Sequence, residues 1–152
     1  MSSLDEVRAA AERIKPHILR TPLERSPALS DLCGTDIYLK FECFQQTGSF
    51  KLRGALNALL VSRATHVVTV SAGNHGLGVA RAARLVGARA TVILPETASR
   101  AKIEALTSSG AELILQGVTY DEVRERLSLW LPEYRPARAE QAALEAVPVS
   151  GK

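Results

Sequence analysis

The chain reads as an α/β fold built on a parallel sheet, and three observations predict it. From residue 66 onward, short β-branched runs alternate with amphipathic stretches, strand then helix, three times over. The runs are nearly continuous in apolar residues, as strands covered on both faces require. Between the first run and its helix lies a glycine-rich turn, Ser71-Ala72-Gly73-Asn74-His75-Gly76-Leu77-Gly78, at the end of the sheet where open parallel folds present ligand sites.

The elements follow in order. Ser3 and Glu6 form a capping-box pattern ahead of Leu4, Val7, Ala11 and Ile14 at helical spacing, and Pro16 ends that helix. Residues 21–34 hold Pro22, Pro27, two serines and an aspartate, a connection with room for one short helical turn. Ile37, Leu39 and Phe41 alternate with Tyr38, Lys40 and Glu42, which predicts a half-buried strand. After the turn Thr47-Gly48-Ser49, residues Leu52, Ala55, Leu56, Leu59 and Leu60 make one apolar helix face.

The alternating region opens with strand His66–Val70. The glycine turn then leads into a helix through Val79, Ala82, Ala83 and Val86, stopped by Gly87. Strand Ala90–Leu94 stops at Pro95, and a helix covers about Ala98–Ser108. Strand Glu112–Leu115 follows. A second capping box, Thr119-Tyr120-Asp121-Glu122, opens a helix through Val123, Leu127 and Trp130. Right-handed crossovers make these strands parallel. Three of the seven prolines fall in residues 132–152, where Gln141–Ala146 could form a short helix and no further strand is expected.

Composition narrows the function classes. A chain of 152 residues can bury a real core, and 46% hydrophobic with 23% charged residues is ordinary for a soluble globular chain. The net charge of +3 is spread evenly and the seven aromatics do not interleave with a basic stripe, so no nucleic-acid partner is expected. No apolar run is long enough to span a bilayer, and the polar start Met1–Glu6 does not resemble a targeting peptide; no membrane association and a cytoplasmic location are expected. Cys33 and Cys43 lack metal-ligand spacing and read as reduced thiols, and no metal site is expected.

Two segments can carry chemistry. The glycine turn has the spacing GxxGxG, which is neither a dinucleotide fingerprint nor a P-loop, although Glu96 lies where a ribose-binding acid would belong. Its backbone amides at a helix start would stabilise an anion, while the glycines could equally serve close packing between helix and strand. The second segment is Lys51, in the first turn of a helix after Thr47-Gly48-Ser49-Phe50. A cation there opposes the helix dipole; an amine held neutral by that field and by desolvation is what a Schiff-base lysine needs. Lys51, Ala55 and Ala58 share one stripe, leaving room for a ring beside the amine. A solvated surface charge fits the lysine as well.

Taken together, the stretch from Lys40 through Gln45-Gln46-Thr47-Gly48-Ser49-Phe50-Lys51 to Ala55, and the stretch Ser71-Ala72-Gly73-Asn74-His75-Gly76, resemble the two motifs of pyridoxal-phosphate-dependent serine/threonine dehydratases. The resemblance continues through Pro95-Glu96-Thr97, Lys102-Ile103-Glu104 and Gly117–Glu122, covering roughly residues 4–123. It implies a three-layer, tryptophan-synthase-β-like fold, pyridoxal 5'-phosphate as cofactor and an amino-acid substrate. By the resemblance, Lys51 condenses with the cofactor aldehyde and later removes the substrate Cα proton. Phe50 packs on the cofactor ring, Asn74 bonds its 3′-oxygen, and Ser71, Asn74 and His75 hold the substrate carboxylate. Related serine racemases have a serine base at the position of Ala72; an alanine cannot move a proton, which favours dehydration over racemisation.

The same resemblance implies that residues 1–62 are an N-terminal fragment of the large cofactor domain, 66–131 a nearly whole small αβα domain, and 132–152 a divergent tail. No run of four glycines, the family's phosphate loop, occurs in the sequence. Residues 1–62 would by the same resemblance lack the strands they normally pair with, and their exposed edge and uncovered apolar face are expected to seek a homo-oligomer or a complementing chain. The activity implied is dehydration and deamination of L-threonine or L-serine to a 2-oxo acid and ammonia. The alternatives are a non-catalytic remnant or another member of the fold: a serine racemase, a hydroxyaspartate dehydratase or a β-elimination lyase.

Overall fold

A computed structural model describes residues 3–119 and 121–123, together with the backbone of 147–148. Helix α1 (Leu4–Ile14) starts where the capping box places it: Ser3 Oγ accepts the Glu6 amide at 3.2 Å, and Glu6 accepts the Ser3 amide at 2.6 Å. Pro16 sits in a 3₁₀ turn that ends the helix.

Residues 21–34 hold more structure than their composition predicts. Strand β1 (Leu23–Arg25) pairs antiparallel with β2 (Tyr38–Lys40), with Leu23 opposite Lys40 and Arg25 opposite Tyr38. Helix α2 (Pro27–Cys33) fills the interval, capped by Ser26 and stopped by Gly34 at φ 65°. The expected half-buried strand is also shorter and more exposed than predicted. All six residues of the ribbon are exposed, because two strands alone offer no second layer to bury a face against.

Helix α3 (Lys51–Ser62) buries Leu52, Ala55, Leu56 and Leu59, the predicted face. It packs with Ile14 against Val67, Val79, Ala82, Ala83 and Ala90 in one apolar cluster. Strands β3 (His66–Val70), β4 (Arg89–Leu94) and β5 (Glu112–Leu115) are parallel neighbours, in register from His66 opposite Arg89 and from Thr91 opposite Glu112. Helix α4 (Asn74–Val86), ended by Gly87 at φ 73°, and helix α5 (Arg100–Ser108) pack on one face through Val79, Leu106, Val92 and Leu94. The other face, Val68, Val70, Ile93 and Ile114, is met by Val123 in the helical turn 121–123. Covered on both sides, β3 and β4 are buried almost throughout, which is what their unbroken apolar runs announced.

Two expectations near the C-terminus need correction. Thr119 does accept the Glu122 amide, but Glu122 reaches the amide of Val118 rather than that of Thr119, so only half of the second capping box forms. A further strand exists: β6 (Val147–Pro148) pairs antiparallel with β3, with Val147 opposite Val68 and Pro148 opposite Val67. The sheet order is β5-β4-β3-β6. A proline-containing dipeptide gives no strand signal in a sequence, and proline is tolerated there because an edge position can do without its N–H. The helical readings through Leu127 and Trp130 and over 141–146 lie outside the described residues.

Candidate active site

The glycine turn lies at the carboxyl end of β3, and it is shorter than its sequence suggests. Helix α4 begins at Asn74, so Gly76 and Gly78 are helical residues rather than loop residues. Each marks a close approach. A Cβ on Gly76 would lie 2.6 Å from the Ser71 carbonyl oxygen and 3.3 Å from Val92 Cγ1, so this glycine lets α4 start tight against the strand ends. A Cβ on Gly78 would lie 3.0 Å from the Lys51 carbonyl carbon, 3.1 Å from the Leu52 nitrogen and 3.2 Å from Lys51 Cβ. The packing role of these glycines is thus observed, and it joins the two segments that the sequence singled out: α4, at its fifth residue, lies directly against the first two residues of α3.

The individual side chains follow from this. Ser71 is buried, and its hydroxyl oxygen accepts the amides of Gly73 at 3.3 Å and Gly76 at 3.0 Å, fixing the turn from inside. What Ser71 retains for a ligand is its hydroxyl hydrogen. Gly73, the N-cap, has no side chain, so apart from the Gly76 amide taken by Ser71 the start of α4 keeps the positive end that favours an anion. Asn74 is exposed at that start and His75 is half-buried behind it. Lys51 is half-buried at the first position of α3, its Nζ 5.3 Å from the centroid of the Phe50 ring, and Phe50 is 55% exposed. An exposed aromatic beside a lysine, opposite a helix start that welcomes anions, is an arrangement able to take a flat anionic ligand.

The polar residues around this lysine lie within the Lys40–Ala55 stretch, but which partners they bond to is not written there. Glu42 accepts two hydrogen bonds from Arg53 at 2.8 and 2.7 Å and one from the Thr21 hydroxyl at 2.6 Å. Arg53, early in α3, is thereby tied to the segment before Lys51, and its guanidinium holds the Glu42 carboxyl below the usual carboxylate range. Gln45 is buried and bridges both ways to Leu19, donating to its carbonyl at 2.9 Å and accepting its amide at 3.1 Å. Gln46 donates to the His17 carbonyl and accepts from Arg81 of α4, each at 2.9 Å. The polar residues around Lys51 are a clamp. A carboxylate eleven residues ahead of an arginine is the pattern the sequence does contain, and it is too common to be read without the fold.

An apolar cavity of about 570 Å³ opens between α1 and α3, lined by Val7, Ile14, Ile18 and Gly54 among others; none of the five candidate residues lines it. Among the described residues no cluster of His, Cys, Asp and Glu is placed to hold a metal ion. Nor is any helix there long and apolar enough to cross a membrane. Cys33 and Cys43 are both exposed free thiols.

Known proteins resemble the chain both in sequence and in fold. The sequence profile of the family described as "Pyridoxal-phosphate dependent enzyme" matches residues 14–143. The L-threonine ammonia-lyase of Thermotoga maritima is 42% identical over 129 residues, 82% of this chain and 32% of the relative. Threonine deaminase from T.th. superposes with a TM-score of 0.72 at 42% identity, covering 87% of this chain and 42% of that one. Maize serine racemase does so with a TM-score of 0.73 at 33% identity, covering 85% and 41%. The chain spans between 32% and 38% of the length of such curated relatives.

Proposed function

The chain belongs to the pyridoxal-phosphate-dependent enzyme family, and from that premise we propose that it carries the lysine and the substrate loop of a hydroxy-amino-acid ammonia-lyase. The reaction is dehydration and deamination of L-threonine or L-serine to a 2-oxo acid and ammonia. The division into residues 1–62, 66–131 and 132–152 belongs to the same proposal. So does completion of the site, in particular its phosphate cradle, by residues beyond these 152 or by a partner chain.

The observation that carries the reading is the backbone contact at Gly78, which sets Lys51 against the helix whose start would receive a carboxylate. The residues fit pyridoxal phosphate: an amine half shielded from water, an exposed ring beside it, and buried hydroxyls on Thr47 and Ser49 without a partner among the described residues. When bound, the cofactor supplies a conjugated ring that delocalises the electron pair left at the substrate α-carbon. Lys51 would hold it through Nζ, Phe50 would cover its ring, and the Asn74 amide would bond its 3′-oxygen.

The chain's other roles follow. The start of α4, with the Ser71 hydroxyl hydrogen, Asn74 and His75, binds and orients the substrate carboxylate. The Lys51 amine takes the Cα proton, and the β-hydroxyl departs with the bonding electrons. Water lost from Cα and Cβ returns in cleaving the C–N bond, so the net reaction needs no oxidant. Ala72, buried beside the turn, offers only a methyl group, which removes a second base from the loop and favours elimination over racemisation.

The test is an assay of 2-oxo acid release from L-threonine and L-serine in the presence of pyridoxal phosphate, run beside chiral analysis of the recovered amino acid. Keto acid and ammonia without loss of chirality is expected. Racemisation without ammonia would place the chain with the racemases, and neither outcome, with or without a complementing C-terminal half, would make it a non-catalytic remnant.

A further inference from the structure

We propose that Ser49 is a cofactor-binding residue, its hydroxyl reserved for a hydrogen bond to the bound pyridoxal phosphate. The inference rests on the reading above that Lys51 carries that cofactor. Ser49 is only 8% exposed, yet its Oγ has no hydrogen-bond partner among the described residues. A buried hydroxyl left unpaired costs about 1–3 kcal/mol relative to a paired one, and natural structures leave few such groups without a reason.

Nor is the Ser49 hydroxyl used to cap the helix that follows. Ser49 stands one residue before Phe50, the N-cap of α3, and α3 has no side-chain cap. The Thr47 hydroxyl, two residues earlier, is likewise buried and without a partner among the described residues. Two orphaned hydroxyls flanking Gly48, which turns the chain at φ 68°, make this turn polar where folding alone would be served by alanine. The turn leads directly into Phe50 and Lys51, whose ring centroid and amine lie 5.3 Å apart. The bond satisfied on binding is therefore one that the chain lacks by itself.

The test uses the full 152-residue chain and the variant Ser49→Ala, with two readouts. Thermal unfolding without ligand is expected to show the variant melting no lower than the unsubstituted chain, since the hydroxyl it loses has no internal partner. Titration with pyridoxal phosphate, followed by borohydride trapping and quantitation of the labelled peptide, is expected to show half-saturation raised roughly tenfold, the effect of one lost hydrogen bond to an ionic ligand. A merely structural serine would give the reverse pattern, a lower melting temperature with unchanged half-saturation, and that result overturns the proposal. Unchanged half-saturation alone also overturns it and leaves Lys51 as cofactor carrier untouched. Absence of labelling in the unsubstituted chain overturns both.

Discussion

Replacing Gly76 by alanine probes the packing that builds the site. The added Cβ would meet the Ser71 carbonyl oxygen at 2.6 Å, Leu106 Cδ2 at 3.2 Å and Val92 Cγ1 at 3.3 Å. The first of these is backbone at the end of β3, so relief requires α4 to move away from the strand. Overpacking of this kind costs about 1–3 kcal/mol, and the upper half of that range applies because the clash is with the main chain. Alanine's better helix propensity returns at most about 1 kcal/mol. The net expectation is a loss of about 2 kcal/mol, or a melting temperature roughly 4–8 °C lower for a chain of this size. Gly73 is the internal control. A Cβ added there meets no atom within 4 Å and its φ of −139° is ordinary extended backbone, so Gly73→Ala loses only the difference between a glycine and an alanine N-cap, about 0.5–1 kcal/mol. Urea unfolding followed by circular dichroism measures both. If Gly76→Ala is neutral or stabilising, helix propensity governs the position, and the claim that α4 is seated tightly by its glycines is wrong.

Three further outcomes are expected. Gly78→Ala, which sets a methyl 3.0–3.2 Å from Lys51 and Leu52, displaces the start of α3; the rate of borohydride-trapped labelling by pyridoxal phosphate falls several-fold, more than the labelling rate of Gly73→Ala. Because Arg53 lowers the folded-state pKa of Glu42, the unfolded chain binds the proton more readily, so the pair's contribution is fully present above the ordinary carboxylate value of 4.5 and is lost as pH falls below it, through the lower folded value. With the Glu42 side chain 16% and Arg53 28% exposed, Glu42→Gln should cost about 1–3 kcal/mol at pH 7 and flatten the acid limb of a stability–pH curve; an unchanged acid limb would contradict the clamp. Arg63 ends α3 at φ 53°, a left-handed conformation that glycine adopts freely, so Arg63→Gly should raise the urea midpoint by an amount equivalent to about 0.5–1 kcal/mol.

The sheet was legible because burial on both faces writes an unbroken apolar run into β3 and β4, a pattern a single sequence displays openly. Lys51 and the Ser71–His75 turn were legible for a different reason, as motifs at a helix start and a strand end. What could not be read depends on approach between distant segments. Gly76 and Gly78 looked like loop residues, since the cost of glycine inside a helix is justified only by neighbours, Ser71 for one and Lys51 for the other, that the sequence does not place. What Glu42, Gln45 and Arg53 bond to could not be read either, because their partners Thr21 and Leu19 lie more than twenty positions away. The exposed ribbon of β1 and β2 and the dipeptide β6 are too short for any periodicity to register.

The central claim is that the amine at position 51 is the one that condenses with pyridoxal phosphate. Incubating the chain with the cofactor, reducing with borohydride and mapping the peptides tests it against four internal controls, Lys15, Lys40, Lys102 and Lys152. Label concentrated on Lys51, and abolished at saturating cofactor by Lys51→Ala, is the predicted result. Label spread evenly over the five lysines, or none on Lys51, would contradict it.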